Sequence, residues 1–492
     1  MPLEWKTGRG NMLSSSSLSR PTARRLLLTC SMIGLLTGGA QAQSLRDAVS
    51  LTLKTNPQIG AAIENKEAIS FELRQARGLF MPRIDLEASA GRRELDRPLQ
   101  VGTNPQSNYS PVEAGVTATW KLFDGGSREA EVDRQASRVD GAAIRVWERS
   151  EFLALEVTRE YLETMLQRRL VGIAEKNVAF LGDTLSRIRA NVSSGSLTDA
   201  DLRQGEERVL SARARLIEAK QELSAAHIRF NRLVGINLSR PAMPGSMAAK
   251  LPKSLDLALG LATRNNPRLQ IASAEIDAAN ALVRASRAKL APEFFLEARG
   301  RVGRDMDGVS GRTNDAQARG VMRWNLYNGG IDAANIQEQT RRVAESQFSR
   351  DQVLREIREQ VKLSFDRRAR QSELAGALGR QLAAGDRVVS AYNDQFSVGR
   401  RSLLDLLDAQ NTRYNAEVLL ETARTSALFA EYRVLAATGQ LVKALGLQPS
   451  AHANTYARAD ANVPPTSTAD ILPQHSPPAP GARPWLPQGA IR

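Results

Sequence analysis

The chain repeats itself, and this duplication limits its fold more than any other feature. The segment SLRDAVSLTLKTNPQIGAA (residues 44–62) matches SLDLALGLATRNNPRLQIA (254–272) at a constant offset of 210. The match continues through Arg77/Arg287, Pro82/Pro292 and the LEA of 86–88 and 296–298. It resumes at offset 204 with WKLFDGG (120–126) against WNLYNGG (324–330). Leu153/Ile357, Val157/Val361, Tyr161/Phe365, Gly195/Gly399 and Asp201/Asp405 follow. The expected layout is a leader over 1–42, a first repeat over 43–240, a second over 241–448 and a tail over 449–492.

Proline placement marks where regular structure runs. None occurs between Pro111 and Pro241 or between Pro292 and Pro449. Eight of the 21 prolines follow Asn462, which predicts a Pro-rich disordered extension at the C-terminus. From Ile331 to Ala375 there is neither Gly nor Pro, and Leu354, Ile357, Val361 and Phe365 keep a 3,4,4 spacing. That is a narrow apolar seam of the coiled-coil kind. Each repeat therefore predicts a very long helix, a Gly-containing turn (NVSSGSLTDADL, QFSVGRRSLLDL) and a second helix returning beside it.

Ahead of each hairpin the period changes from 3.6 to two. Ile84, Leu86, Ala88 and Ala90 alternate with Arg83, Asp85, Glu87 and Ser89. Val112, Ala114, Val116, Ala118, Trp120 and Leu122 share one face of the next run. The second repeat has Phe294, Leu296, Ala298 and Val302, then Met322, Trp324 and Leu326. Four strands are expected, at about 82–92, 111–123, 293–303 and 316–327, with long polar loops between them. Such alternation over about ten residues fits a strand with lipid on one side and water on the other, or a sheet packed on a soluble core. Trp120 and Trp324 fall near strand ends, where an aromatic girdle would lie. Barrels in lipid must be closed, and single-chain bacterial barrels begin at about eight strands, so four imply a barrel shared between copies. Two copies would supply eight strands and three would supply twelve.

Residues 1–42 read as an export signal: Arg24-Arg25, the apolar run LLLTCSMIGLL, and small residues at 40–42. Cys30, the single cysteine, sits inside it, so the exported chain has no disulfide and no thiolate site. A lipid anchor at Cys30 is disfavoured because the apolar run continues beyond it. The net charge of +14 falls to about +10 without the leader's five Lys/Arg and one Glu. The basic residues are interspersed with acids and lack interleaved aromatics, which argues for solvated helix faces and against nucleic acid. Only His227, His452 and His475 could serve acid–base or metal chemistry, and no Walker-type phosphate loop occurs. No enzymatic activity and no cofactor are expected.

Together the paired NP helix openings, LFDGG/LYNGG and FSVGRRSLLDLLDAQNTRYNAE resemble the TolC family of outer-membrane efflux and type I secretion channels. The resemblance spans about residues 44–446. It implies a mainly α fold with membrane β, in which long α-helical hairpins form a periplasmic α-barrel. The four β-strands per chain would contribute to a shared 12-stranded β-barrel in a homotrimer. It also implies packing of residues 236–254 and of those past 445 around the barrel's middle. The implied partners are an inner-membrane transporter (ABC or RND type), a periplasmic adaptor and outer-membrane lipid. Many drug- and metal-efflux members carry an anchor cysteine, so the resemblance is nearer to type I secretion members. The alternative from another class is a soluble periplasmic coiled-coil scaffold.

Asp405 and Asp408 stand three residues apart on the leucine-rich run SLLDLLD, on one helical face. Helix capping accounts for Asp201 in TDAD and for part of Asp405 in SLLD. It leaves Asp408 unexplained, since Gln204 occupies the equivalent place in the first repeat. The family resemblance assigns both aspartates to a periplasmic, cation-preferring gate, and Arg401 with Asp201 to a lock that holds it shut. Phe396 and Ala200 depart from the hydrogen-bonding residues that assist such a lock.

Overall fold

The computed structural model describes residues 44–96, 106–239 and 241–469. The leader with Cys30, loop residues 97–105, and residues 470–492 with His475 lie outside the described residues. The first repeat comprises α1 (Leu45–Thr55), α2 (Pro57–Gly78), β1 (Arg83–Ala90), β2 (Arg93–Asp96), β3 (Gln106–Tyr109), β4 (Val112–Phe123), α3 (Ser127–Ser193) and α4 (Asp199–Val234). The second comprises α5 (Leu255–Asn265), α6 (Pro267–Ala288), β5 (Glu293–Arg304), β6 (Arg312–Arg323), α7 (Ile331–Ser397) and α8 (Leu403–Ala437). Two single-turn helices follow, α9 (Leu441–Ala444) and α10 (Ala457–Asp460).

The repeated motifs mark the corners of the fold. Asn56 and Asn266 cap α2 and α6, accepting from the amides of Gln58 and Arg268. Their amide groups donate to the carbonyls of Leu233 and Ala437, tying the start of one helix to the end of the returning hairpin. The Gly-Gly pairs turn strand into helix at positive φ, 67° and 90° at Gly125 and Gly126, 69° and 82° at Gly329 and Gly330. In the first repeat Asp124 pairs with Arg128 at 3.0 Å, and both are buried. In the second, Asn328 donates to Asp332 at 2.5 Å at the equivalent positions. A Cβ on Gly125 would lie 2.6 Å from Ala291 Cβ and 2.7 Å from the Ala288 carbonyl. Gly125→Ala is therefore expected to lower the heat-unfolding midpoint, with roughly 1–2 kcal/mol lost to the left-handed backbone alone and more to the clash.

The helices α3 and α7 have 67 residues each, about 100 Å at 1.5 Å per residue. Both stop in a glycine-ended turn: Ser196 N–H reaches the Asn191 carbonyl past Gly195, and Arg400 N–H reaches Gln395 past Gly399. The seam residues Ile357 and Val361 are buried with Ala258, Ala262 and Leu269, so α7 packs there on α5 and α6. Midway along the hairpins, α1, α3, α4, α8 and α9 share one core with Leu238, Leu251 and Leu445. There Tyr161 and Tyr432 donate to the carbonyls of Ala242 and Gly245, holding the connecting segment against the bundle. No helix among the described residues is long and apolar enough to cross a membrane.

Four strands form one antiparallel sheet in the order β1-β4-β5-β6, with β2 and β3 as a separate two-stranded ribbon. This ribbon occupies a stretch expected to be a polar loop. The last strand also differs from expectation: it covers Arg312–Arg323, where the alternation suggested 316–327. Its partner β5 begins at Glu293, paired with Arg323, so Trp324 and Leu326 have no strand to pair with and lie beyond the sheet.

The tail is the larger correction. Residues 450–469 are not a free extension but a strap laid over the helices. Ala457 is fully buried against Ile69, Leu73, Ala136 and Val139. Asp140 of α3 accepts from the amides of Tyr456 and Ala457, and from the Arg458 guanidinium at 3.0 Å. Asp277 of α6 accepts from Arg458 at 2.7 Å and from the Thr466 amide and hydroxyl. Arg350 of α7 donates to the Thr468 carbonyl at 2.7 Å. Proline content predicted disorder because proline cannot join regular backbone ladders; here buried carboxylates accept the strap's remaining amide N–H groups instead.

Candidate functional site

Two places carry the features singled out in the sequence: the sheet and the tips of the hairpins. The sheet's register puts Leu86 opposite Val116, Val116 opposite Gly300, and Trp120 opposite Leu296. It also sets Ala298 opposite Ala318 and Phe294 opposite Met322. The alternating apolar residues within the four strands thus land on one face, and its large side chains are exposed, Leu86 to 78% and Met322 to 58%. The opposite face is charged and internally paired. Arg301 reaches Asp307 at 2.8 Å, Asp315 at 3.0 Å and Glu113 at 3.5 Å. Glu297 takes Arg319 and Arg323 at 2.8 and 2.7 Å, and Lys121 takes Glu293 at 2.9 Å. An exposed apolar face backed by a paired polar one is what a lipid-to-water wall needs.

Trp120 stands near the helix-proximal end of β4 and Trp324 one residue past the end of β6, each about half exposed. Their indole N–H groups donate to the carbonyls of Phe80 and Leu290 at 2.9 and 3.1 Å. The ring bodies stay available to an apolar phase while the polar edge is satisfied.

At the tips, Leu181, Leu185, Ile188, Val209, Phe396, Leu403, Leu406 and Leu407 form one buried cluster from α3, α4, α7 and α8. Gly205 permits the close approach, since a Cβ there would come within 2.8 Å of Ile188. Asp405 and Asp408 flank the buried face of α8 and remain exposed. The two repeats then diverge. Asp201 closes a full capping box: its carboxylate accepts the Thr198 amide at 2.9 Å, and the Thr198 hydroxyl accepts the Asp201 amide. The Thr198 amide and the Thr198 hydroxyl both donate to the Asp201 carboxylate and hold it below the usual aspartate range.

Ser402 caps α8 in the same manner, accepting the Asp405 amide at 3.1 Å. The Asp405 carboxylate instead turns to Arg401 at 3.4 Å. Arg401 stacks on the Tyr392 ring, 4.0 Å from its centroid, and donates to Gln395 at 3.0 Å. Leu197 occupies the equivalent of Arg401 in the first repeat, which leaves Asp201 free to complete its box. Within the protomer the structure therefore brings Arg401 to Asp405 and not to Asp201. Phe396 packs inside the apolar cluster, and the ring that touches Arg401 belongs to Tyr392. Asp408 faces Arg208 of α4, 3.9 Å away. Neither Arg208 nor the strap was legible as functional in the sequence, because both depend on contacts spanning about 200 residues or more. Among the described residues no group of three or more His, Asp or Glu is placed to hold a metal ion.

Comparison with known proteins agrees with this geometry. The family model described as outer membrane efflux protein matches residues 48–236 and again 258–440, once per repeat. The outer membrane efflux protein BepC of Brucella suis is 24% identical over 423 residues, covering 84% of this chain and 90% of that protein. The alkaline protease secretion protein AprF of Pseudomonas aeruginosa is 26% identical over 448 residues, covering 86% and 90%. The crystal structure of the outer membrane protein VceC from Vibrio cholerae superposes with a TM-score of 0.70 at 15% identity, covering 82% of this chain and 96% of that one. With one family match on each repeat and the same fold in a solved relative, the chain belongs to the outer membrane efflux protein family.

Proposed function

We propose that three copies of the chain form one duct, with its β-barrel in the outer membrane and its helical hairpins hanging into the periplasm. The sheet carries this reading. Its one face is apolar and exposed, and among the described residues its edge strands β1 and β6 each lack a second partner. In hydrocarbon such edges leave backbone groups unsatisfied, so copies of the chain have to close the wall. Three copies of four strands give twelve, the number the family resemblance implies. A soluble periplasmic scaffold would have no use for the apolar face.

The duct serves type I protein secretion, efflux or both, and it works with an inner-membrane transporter of ABC or RND type through a periplasmic adaptor. The names of BepC and AprF, one an efflux protein and the other a protease secretion protein, support this range. Trp120 and Trp324 form the aromatic girdle on the periplasmic side. Asp405 and Asp408 form two rings at the periplasmic aperture, six carboxylates whose field favours cations. Arg401 and Asp201 form the lock between neighbouring copies, exchanging there the local partners, Asp405 and Thr198, that each has within one protomer.

Planar-bilayer recording of the detergent-purified protein tests the reading. Asp405→Ala with Asp408→Ala is expected to lower the cation-to-anion permeability ratio several-fold. Unchanged selectivity removes both residues from the gate. A monodisperse single copy in buffer without detergent would end the duct reading altogether.

A further inference from the structure

The two gate carboxylates have counter-charges of different origin. Asp405 is met by Arg401, four residues before it on the same turn and helix. Arg401 is further held by Gln395 and Tyr392 of its own hairpin, so this pair travels as one body. Asp408 is met by Arg208, which belongs to the other hairpin. The α3/α4 and α7/α8 hairpins touch through further polar bonds nearby: Arg187 to Asn393 at 3.0 Å, Arg215 to Asn411 at 3.1 Å, and the buried Asn177–Gln410 pair at 2.9 Å. Arg208 also lies 3.6 Å from Glu207, its neighbour on α4.

Resting on the duct reading above, we infer that Arg208 is a conditional counter-charge that determines when Asp408 acts. With the hairpins together, Arg208 offsets part of the Asp408 charge and the field of the six carboxylates is at its weakest. When the hairpins part, Asp405 keeps Arg401, whereas Arg208 stays with α4 and falls back on Glu207. Asp408 is then the uncovered carboxylate, so cation preference rises with opening. The Arg208–Asp408 pair is long and exposed, and such pairs are weak. That suits a contact that must break and reform. The first repeat carries Gln204 at the position of Asp408, so only the second hairpin carries this carboxylate.

The test uses the full-length trimer in planar bilayers, reading conductance and the reversal potential in a KCl gradient. Arg208→Glu sets like charges against each other across the hairpins. It is expected to raise conductance roughly threefold, the scale of one weak exposed pair, and to raise the cation-to-anion ratio. Adding Asp408→Arg restores the pair with reversed polarity and returns conductance toward that of the unmodified channel. Arg208→Gln, a milder change on an exposed surface, raises cation preference of the resting channel. If Arg208→Glu and Arg208→Gln both leave conductance and reversal potential unchanged, or if the charge swap fails to restore conductance, the inference is wrong. Should that happen while Asp405→Ala with Asp408→Ala still lowers selectivity, the gate reading stands and only the role of Arg208 falls.

Discussion

Arg458→Ala is expected to free the C-terminal strap and to destabilise the helical body by about 3–5 kcal/mol, the cost of breaking a buried ion pair from one side. The Arg458 side chain is only 11% exposed and bridges Asp140 and Asp277, each 4% exposed. Removing it leaves two buried carboxylates without their cation, although each keeps backbone donors from the strap. Adding Asp140→Asn and Asp277→Asn to Arg458→Ala is expected to recover part of the loss, since neutral amides carry no charge to strand. Limited proteolysis after residue 449 and the heat-unfolding midpoint in detergent both report the outcome. A strap as resistant in Arg458→Ala as in the parent would show that apolar burial of Ala457 suffices to hold it.

Glu151 is expected to make stability fall as pH rises from about 4.5 to about 7. It sits on α3 within the central bundle, buried, accepting the amides of Leu441 and Val442 at the start of α9. Burial raises its pKa from 4.5 to about 7, with the amide hydrogen bonds opposing that rise. Below 4.5 the group is protonated both folded and unfolded, so it adds no penalty. Above that the unfolded chain gives up its proton first, and stability drains away until the folded group also ionises near 7. The full excursion is about 3 kcal/mol at ~1.4 kcal/mol per pH unit. Unfolding midpoints from pH 4 to 8 should therefore decline in the parent and flatten in Glu151→Gln. An equal slope in both would take Glu151 out of the account.

Much of the architecture was legible because it rests on local rules. Period-two runs, the NP openings and the Gly-Gly corners each encode an element without reference to distant residues. The duplication then fixed their order twice over. Strand limits were less legible: β6 stops at Arg323 because β5 begins at Glu293, and pairing between separate strands is not written in either one alone. Asp405 and Asp408 stood out through spacing and through the asymmetry of Asp408 against Gln204. The partner of Asp408 did not, since Arg208 lies 200 residues before it along the chain.

By itself, then, the sequence determined a duplicated hairpin fold, four alternating strands and a pair of carboxylates at a hairpin tip. These follow from periodicity and turn chemistry, which act over a few residues. Only the tertiary structure decided that residues 450–469 form a strap, that Arg401 takes Asp405 while Asp201 closes its own cap, and that Arg208 faces Asp408. Buried charge and side-chain pairing depend on which helices lie side by side, and that is settled by packing of the whole chain.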